Sequence, residues 1–441
     1  MNSNQTTTEE QALHILNHTQ DNLFLTGKAG TGKTTFLRNL HQKCHKKFIV
    51  AAPTGIAAVN AGGVTLHSFF KLPIAPYTPR IDALGRFHDA LPRYDIQGDK
   101  LEVINKLELL VIDEISMVRA DLLDAIDDVF RHYRRNSSPF GGVQLLLIGD
   151  LQQLSPICKK EEAPILSPVY HSMYFFASKA IQASKLVMLE LNKIYRQQDP
   201  MFTGFLNEIR IGHISPMGRR LLDSLLIPGE VDEKTITVCS HRKQVNEIND
   251  VKLQSINSEA HIYYSKKSGD ISTLSLPMEA ELVLKKGARV MFTVNDTDSN
   301  LYYNGSMGIV TQLNDDSVVV RLDSNNTEIL VRPYTWKNNT YVVNPETQML
   351  EIREIGNCKQ LPLVLAWAIT IHKCQGLTFE HLAIDAAGSF APGQVYVALS
   401  RCKQIKGISL LSPITQKQLF NNTEVEAFYA TCLVPECPSV V

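Results

Sequence analysis

An α/β fold with two parallel sheets is the expectation for this chain, and three observations carry it. Short continuous apolar runs recur along the sequence, helical patterns fill several of the gaps between them, and one strand-to-helix junction carries a glycine-rich loop. In the first part the runs are Leu23–Thr26, Phe48–Ala52, Leu109–Ile112 and Leu145–Ile148. Strands apolar on every residue are buried on both faces, the mark of a parallel sheet covered by helices. Amphipathic patterns at Gln11–His18, Thr34–Lys43 and Asp121–Arg135 supply the helices. The alternation resumes at Leu186–Leu191, Thr235–Cys239 and Leu361–Ile371, which calls for a second sheet.

Two stretches break this rhythm. Lys71–Asp99 holds Pro73, Pro76, Pro79 and Pro92 and reads as an excursion from the first domain. Between about Ile262 and Val343, short alternating segments (Val283–Leu284, Arg289–Thr293, Gly308–Gln312, Ser317–Leu322, Thr327–Val331) are separated by Gly, Asn and Asp. That is the pattern of a small antiparallel barrel or sandwich. It reads as inserted, because α/β patterning returns after it. No fixed-period repeat is present, and the tail after Thr431 reads as loose.

Composition bounds the rest. With 441 residues, 44% hydrophobic and 20% charged, the chain is ordinary globular protein, with room for two to four domains at roughly 100–200 residues each. A net charge of −1 gives no bulk attraction to a polyanion, so any such attraction must be local. Eight scattered cysteines form no CxxC pair, which favours free thiols in a reducing cytosol over a metal site. Met1–Gln11 has neither the apolar core of a signal peptide nor the arginines of a mitochondrial presequence. Leu361–Ile371 is too short to span a bilayer. The expectation is a cytoplasmic protein without membrane contact, in a bacterial cytoplasm or nucleoid rather than a mitochondrion.

The glycine-rich loop is the most specific signal. Gly27-Lys28-Ala29-Gly30-Thr31-Gly32-Lys33-Thr34 fits the phosphate-loop pattern G-x-x-x-x-G-K-[ST] without a mismatch, between a strand and a helix. Its glycines let backbone N–H groups approach phosphates, and the helix that follows favours negative charge. Lys33 would pair β- and γ-phosphates and Thr34 would ligate Mg²⁺. Leu109-Leu110-Val111-Ile112-Asp113-Glu114 runs an apolar strand into two acids. Asp113 would hold Mg²⁺ and Glu114 would polarise the attacking water. Ile148-Gly149-Asp150-Leu151-Gln152-Gln153 ends a third strand in polar groups, and Gln153 could sense the γ-phosphate.

A phosphate loop does not by itself name a function. Further segments do more: Ala51-Ala52-Pro53-Thr54-Gly55-Ile56-Ala57-Ala58, Thr65-Leu66-His67-Ser68-Phe69, Trp367 to Gly376 and Val395 to Arg401. At these residues the chain resembles superfamily 1 helicases of the 5′-to-3′ subclass, and within them the petite-integration-frequency (Pif) family. The resemblance spans about Glu10 to Leu411. Its most specific part is Val129–Asp150, with Arg134-Arg135 and Pro139-Phe140-Gly141-Gly142-Val143-Gln144-Leu145. Asn304 to Val310 resembles the family's inserted barrel.

The resemblance implies two tandem RecA-like P-loop NTPase domains, a small wedge excursion in the first and an inserted Src-homology-like β-barrel in the second. The expected division is residues 1–185 for the first domain, with the wedge at about 66–100, and residues 186–254 and 359–430 for the second. Residues 255–358 would form the barrel and 431–441 a tail. It also implies ATP and Mg²⁺ as cofactors. Gly27, Gly30, Thr31, Gly32, Lys33, Thr34 and Thr35 would cradle the nucleotide, Gln11 would read adenine, and Gln375 and Gly376 match the fifth motif. Arg196 and Arg401 match arginine fingers beside Lys33, Asp113, Glu114 and Gln153. Pro53, Thr54, Gly55, His67, Ser68, Thr370, His372 and Lys373 match positions that face single-stranded DNA.

Two departures stand out. Leu151 and Gln152 stand where the family often carries two aromatics after Gly-Asp in its third motif, so the base stacking that the resemblance implies there does not carry over directly. Cys374 stands where serine is usual, and a thiol is a poor donor. Some residues also admit plainer readings. His67 and His372 could be buried, satisfied histidines, and Arg196 and Arg401 could be surface ion pairs. Arg131–Arg135 and Lys43–Lys47 read as solvated basic faces rather than DNA contacts. The implied protein is an ATP-driven DNA helicase acting on single strands and duplex junctions, as a monomer or as a dimer on DNA. Its rivals are an RNA or RNA–DNA helicase, and an ATP-dependent loader or switch.

Overall fold

The computed structural model describes residues 7–73, 75–81, 87–88, 96–197, 199–227, 235–271, 276, 278–296, 301–344, 346, 350–386, 388–389, 391–419 and 422–432. The expected wedge and tail therefore lie partly outside the described residues. Six parallel strands form the first sheet, in spatial order Val64–Thr65, Phe48–Ala52, Leu109–Ile112, Gln144–Ile148, Asn22–Gly27 and Leu186–Leu191. The strands Asn22–Gly27, Leu109–Ile112 and Gln144–Ile148 are buried along their whole length, as their unbroken apolar character requires. One face is covered by the helices Thr8–His18 and Lys33–Lys43, whose Leu16, Phe36 and Leu40 pack on Leu23, Val111 and Ile148. The other face is covered by the helix Ala120–Arg134 and its neighbours.

A second parallel sheet has four strands in the order Ala368–Thr370, Ile236–Cys239, Leu382–Asp385 and Ile408–Leu410. The helices Pro200–Arg210 and Gln394–Leu399 share its core. That core also takes in Ala29 and Leu154 of the first domain. The two parallel-sheet units are thus fused through buried apolar contact, with the phosphate loop at the seam. These are the two RecA-like domains expected.

The antiparallel section is present as an inserted unit. Five strands pair in the order Glu328–Val331, Val318–Leu322, Met307–Leu313, Arg289–Phe292 and Leu363–Leu365, around Val290, Val310 and Val320. The run Leu361–Ile371 is therefore not one strand of the second domain. Leu363–Leu365 closes the inserted sheet, whereas Ala368–Thr370 joins the second parallel sheet. The insert extends beyond residue 358 for this reason. A long hairpin, Tyr334–Val343 with Leu350–Gln360, also leaves the insert and reaches the first domain. Val343 joins the first domain's core, and Arg353 pairs with Asp99 at 2.5 Å.

A second boundary needs correction. The expected division puts residues 423–430 in the second domain and 431 in the tail, but the helix Thr423–Thr431 packs on the first domain. Val425 is fully buried there, Phe428 stacks on Phe176 at 4.4 Å, and the Tyr429 hydroxyl lies 3.2 Å from the Thr26 hydroxyl. Glu424 accepts a bond from Ser172, and Asn422 donates to the Tyr174 hydroxyl. The C-terminal helix straps the second domain back onto the first.

The basic stretch Arg131–Arg135 is not a solvated face throughout. Arg134 donates to the carbonyls of Gly141, Ile104, Asn105 and Leu107, tying the end of the helix Asp99–Lys106 to the Pro139–Gly142 turn. Arg131 pairs with Asp127 at 2.7 Å. The same helix buries Asp121, Asp124, Asp127 and Asp128. Each accepts designed-looking partners: Asp124 takes the hydroxyls of Tyr170 and Ser178, and Asp128 takes that of Tyr77. Buried carboxylates are tolerable only when so bonded. This family-like segment acts as a brace between the excursion and the domain.

Candidate active site and nucleic-acid track

The nucleotide cleft is built where two strands of the first sheet end. The strand Asn22–Gly27 delivers the phosphate loop, with Gly30 and Gly32 at φ +81° and +91°. At Gly30 a side chain is excluded twice over. The backbone is left-handed, and an ideal Cβ would lie 2.6 Å from the Cβ of Arg196. The Gly30 carbonyl accepts a bond from Tyr195 N–H at 2.8 Å. The segment leading into the second domain therefore lies directly on the phosphate loop. Lys33 opens the helix Lys33–Lys43, and its ammonium donates to the carbonyls of Gly27 (2.5 Å) and Lys28 (3.1 Å).

The strand Leu109–Ile112 delivers the acids. Asp113 accepts a bond from the Glu114 N–H at 2.9 Å, and Glu114 sits at φ +53°. A non-glycine residue in that region is held there by its surroundings. Burial and the adjacent Asp113 push the Glu114 carboxyl up to about 7, against the pull of Lys33 and Arg401. Asp113 is raised too, by burial. Burial lowers Lys33, while Asp150, Glu114 and Asp113 work to keep its charge. Three carboxylates and one ammonium thus share one recess.

The opposite wall comes from the second domain. Arg401 is 2% exposed and donates to the Val397 carbonyl and the Ser400 hydroxyl. Arg196 donates to the Ser400 carbonyl at 3.4 Å. Neither makes an ion pair within the described residues, so the surface-ion-pair reading fails for both. Burial, then Arg401, depresses Arg196 to about 9. A guanidinium does not give up its proton, so the shift reflects the cost of holding the Arg196 charge buried beside Arg401. An anion between them would relieve that cost.

An open cleft of about 970 Å³ joins these walls. Gly30, Lys33, Thr34 and Glu114 line it from one side, Arg196, Gly376 and Arg401 from the other, with Gln153 and Thr35 at its edge. Gln375 crosses it, donating to Glu114 at 2.8 Å. Gln11 is half-buried on the first helix and is not among the cleft-lining residues; Glu9 of that helix is. A second cavity of about 530 Å³ is lined by Thr34, Asp113 and Glu114 together with Thr54, His372, Lys373 and Gln375. The nucleotide side and the DNA-facing positions therefore adjoin.

The positions expected to face DNA are more dispersed. Pro53, Thr54 and His67 line a third cavity, of about 430 Å³, beside the proline-rich excursion. Gly55 and Ser68 line a narrow groove against Lys337, Asn338 and Asn339 of the long hairpin. The hydroxyls of Thr54 and Thr370 accept backbone N–H groups of Ala57 and Lys373, capping local turns. His67 and His372 are half-buried, and burial holds both below the usual histidine value. Both line cavities rather than sit in the core. Burial also lowers Lys373.

Both departures from the family pattern point inward. Leu151 is fully buried and Gln152 nearly so. The Cys374 thiol is fully buried and donates to the Ile371 carbonyl at 3.0 Å. At this position the side chain serves the local turn.

Residues that sequence reading missed lie across the seam. The Tyr396 hydroxyl accepts the buried Ala29 N–H at 3.1 Å. Arg210 pairs with Asp150 at 2.9 Å, and an ideal Cβ on Gly393 would collide with the Gln153 carbonyl. Tyr396 sits inside the noted run Val395–Arg401, but nothing local marks it. Its partner is 367 residues away.

With this geometry in view, comparison with known proteins is informative. The description PIF1-like helicase fits residues 1–219. The ATP-dependent DNA helicase Pif1 of Campylobacter jejuni is 31% identical over 416 residues, which cover 89% of this chain and 89% of that protein. The ATP-dependent DNA helicase PIF1 of Homo sapiens is 33% identical over 401 residues, which cover 88% of this chain and 58% of the human protein. Pif1 from a Bacteroides species, in complex with ADP-AlF4, has a TM-score of 0.86 and 41% identity, with 97% of each chain covered. The same Bacteroides protein bound to ssDNA gives 0.68. Similarity of this extent, over both parallel sheets and the insert, leaves one assignment: the chain belongs to the family of PIF1-like helicases.

Proposed function

We propose that this chain is an ATP-dependent DNA helicase that moves 5′ to 3′ along single-stranded DNA and opens duplexes ahead of it. The observation that carries the reading is the shared cleft. A phosphate loop and Glu114 from one domain face Arg196 and Arg401 from the other, and neither arginine makes an ion pair among the described residues. The names of the relatives from Campylobacter and Homo sapiens support DNA as the track.

In this reading Gly27, Gly30, Thr31, Gly32 and Thr35 shape the cradle for ATP, and Lys33 turns from the Gly27 and Lys28 carbonyls to the β- and γ-phosphates. Gln11 reads the base. Thr34 and Asp113 offer hard oxygen donors beside one cavity, the donor set that suits Mg²⁺. That ion, when bound, would neutralise charge on the phosphates. Glu114 accepts a proton from the attacking water, which a carboxyl raised by burial does readily. Arg196 and Arg401 stabilise charge on the transferring group, and Gln153 senses it. Such positioning and charge stabilisation supply most of the catalysis in phosphoryl transfer.

Single-stranded DNA would run over Pro53, Thr54, Gly55, His67 and Ser68 of the first domain and Thr370, His372 and Lys373 of the second. Backbone-directed contacts grip without reading sequence. Gln375 joins the two functions, since it bonds Glu114 and adjoins His372 and Lys373. Alternating closure of the cleft would then shift the grip from one domain to the other. The excursion would act as the wedge and the insert, with a Src-homology-like barrel, as the clamp. Forks, RNA–DNA hybrids and G-quadruplexes are the proposed substrates, in replication, repair, recombination or telomere-like maintenance. The proposed working form is a cytoplasmic monomer, or a dimer on DNA. No described helix is long and apolar enough to cross a membrane.

The test is strand separation on partial duplexes carrying either a 5′ or a 3′ single-stranded tail, with Lys33→Ala as control. Unwinding from the 5′ tail alone is expected. Unwinding from the 3′ tail alone would overturn the polarity. ATP hydrolysis indifferent to single strands would overturn the helicase reading.

A further inference from the structure

Resting on the reading just given, we infer that Arg210 is a positioning residue for catalysis: it reaches from the second domain to Asp150 and, through it, sets the γ-phosphate-sensing Gln153. Arg210 is the last residue of the helix Pro200–Arg210. Its Nη2 donates to Asp150 Oδ1 at 2.9 Å, and the Asp150 side chain is wholly shielded from solvent. The other carboxylate oxygen, Oδ2, accepts from Gln153 Nε2 at 3.2 Å, while Oδ1 also accepts the Gln152 N–H. The chain of contacts therefore runs Arg210, Asp150, Gln153 and then the cleft, which Gln153 lines.

The charges explain why the arginine is needed. Burial alone would push the Asp150 carboxyl up, but Arg210 and Lys33 outweigh it and hold it below the usual range. Without Arg210, the counter-charge left to Asp150 among the described residues is Lys33. Lys33 is the group the phosphates need, and Asp150 is foremost in sustaining its charge. Arg210 thus has two effects. It orients Gln153 through a fixed carboxylate, and it keeps that carboxylate from claiming Lys33. A buried pair that loses one partner leaves an uncompensated charge, which is strongly unfavourable.

The geometry also makes the device responsive to closure. Asp150 and Gln153 belong to the first domain and Arg210 to the second. Gly393 of the second domain presses on the Gln153 carbonyl, so this segment is gripped twice across the seam. The Arg210 Nε–H is buried without a partner in this arrangement. A unidentate contact with a free donor beside it can tighten when the domains move.

The experiment uses the full chain. Steady-state ATP hydrolysis with saturating oligo-dT is measured for wild type, Arg210→Gln, Arg210→Lys, Gln153→Ala and the two Arg210 variants combined with Gln153→Ala. ADP affinity is measured with a fluorescent ADP. Arg210→Gln should lower kcat by about 10- to 100-fold while ADP affinity stays within about twofold, with Arg210→Lys recovering part of the loss. In the Gln153→Ala background the Arg210 substitutions should cost clearly less than in the wild type, because much of their effect runs through the Gln153 contact. Unchanged kcat in Arg210→Gln overturns the inference. So does a full additional loss on top of Gln153→Ala, or an equal fall in ADP affinity and kcat. If Arg210→Gln does not fold, Arg210→Lys with and without Gln153→Ala decides by the same non-additivity. Absence of strand-stimulated hydrolysis in the wild type would instead overturn the helicase reading itself.

Discussion

The two walls of the nucleotide cleft are built on different principles. The first-domain wall is local. Gly27 to Thr34 form one loop between a strand and a helix, and Asp113 and Glu114 end a neighbouring strand. Each residue's place follows from its own few neighbours in sequence. The second-domain wall is assembled at long range. Arg196, Arg210, Tyr396 and Arg401 come from three separate segments; Tyr396 and Arg210 meet partners in the first domain, while Arg196 and Arg401 are held against the Ser400 segment of their own domain. On the function proposed, the first wall would bind and only both together would turn over. That difference is what lets a motor make hydrolysis depend on domain position.

The sharpest way to break this comparison is to remove one cation from each wall. Lys33→Ala should lower ATP turnover by about 10³-fold or more and abolish nucleotide affinity, while oligonucleotide binding persists. Arg401→Ala should leave ATP binding near wild type and reduce kcat by ~10³–10⁵, the range for arginine fingers. Turnover assays paired with equilibrium nucleotide titration separate the two. Loss of ATP binding in Arg401→Ala would mean that the second wall also binds, and the division of labour would fall.

A smaller effect tests the bridge between the walls. Gln375 donates to Glu114 across the cleft at 2.8 Å. A hydrogen bond to a charged group is worth about 1.5–3 kcal/mol. Gln375→Ala should therefore reduce strand-stimulated hydrolysis by roughly tenfold, and leave hydrolysis without DNA nearly unchanged. Equal loss in both conditions would make Gln375 an ordinary cleft residue with no part in linking DNA to ATP.

The same contrast explains what could be read from the sequence. The parallel strands were legible because burial on both faces leaves continuous apolar runs, as in Leu109–Ile112 and Gln144–Ile148. The phosphate loop was legible because its glycines are demanded by backbone geometry within eight residues. Leu361–Ile371 misled, since an apolar run carries no mark of which sheet receives it; a turn at Ala366–Trp367 divides it between two. Arg134 was read as solvated because its four carbonyl acceptors lie on other segments. The Asp150–Arg210 pair was invisible for the same reason. An arginine at the end of a helix is expected anywhere, and nothing nearby announces a buried carboxylate 60 residues earlier.

The C-terminal helix offers a test of how firmly the walls are held together. Phe428 stacks on Phe176 and packs at the edge of the first domain's core. Phe428→Ala should cost about 2 kcal/mol, below the range for a fully buried aromatic because the ring is partly exposed. Chemical denaturation followed by far-ultraviolet circular dichroism would read this. If the strap matters to domain position, strand-stimulated hydrolysis should also fall by a few-fold under conditions where the variant is fully folded.

The smallest expected effect is the most informative about the seam. Tyr396 contributes only a hydroxyl, accepting the buried Ala29 N–H within the phosphate loop. Tyr396→Phe keeps the ring and its packing but leaves that N–H without its acceptor. A single neutral bond of this kind is worth about 1 kcal/mol. The released N–H points from the loop that cradles phosphates, so its loss has two opposed consequences. The docked arrangement weakens, while one more loop donor becomes free for a nucleotide. If docking dominates, ATP half-saturation rises by up to about fivefold and ADP affinity is unchanged. If the freed donor dominates, ADP and ATP both bind more tightly and kcat falls. Identical constants for Tyr396→Phe and wild type would show that the seam contact at Ala29 is replaced by solvent at no cost. The second wall would then be held by the other seam contacts, among them the Arg210–Asp150 pair and the C-terminal helix.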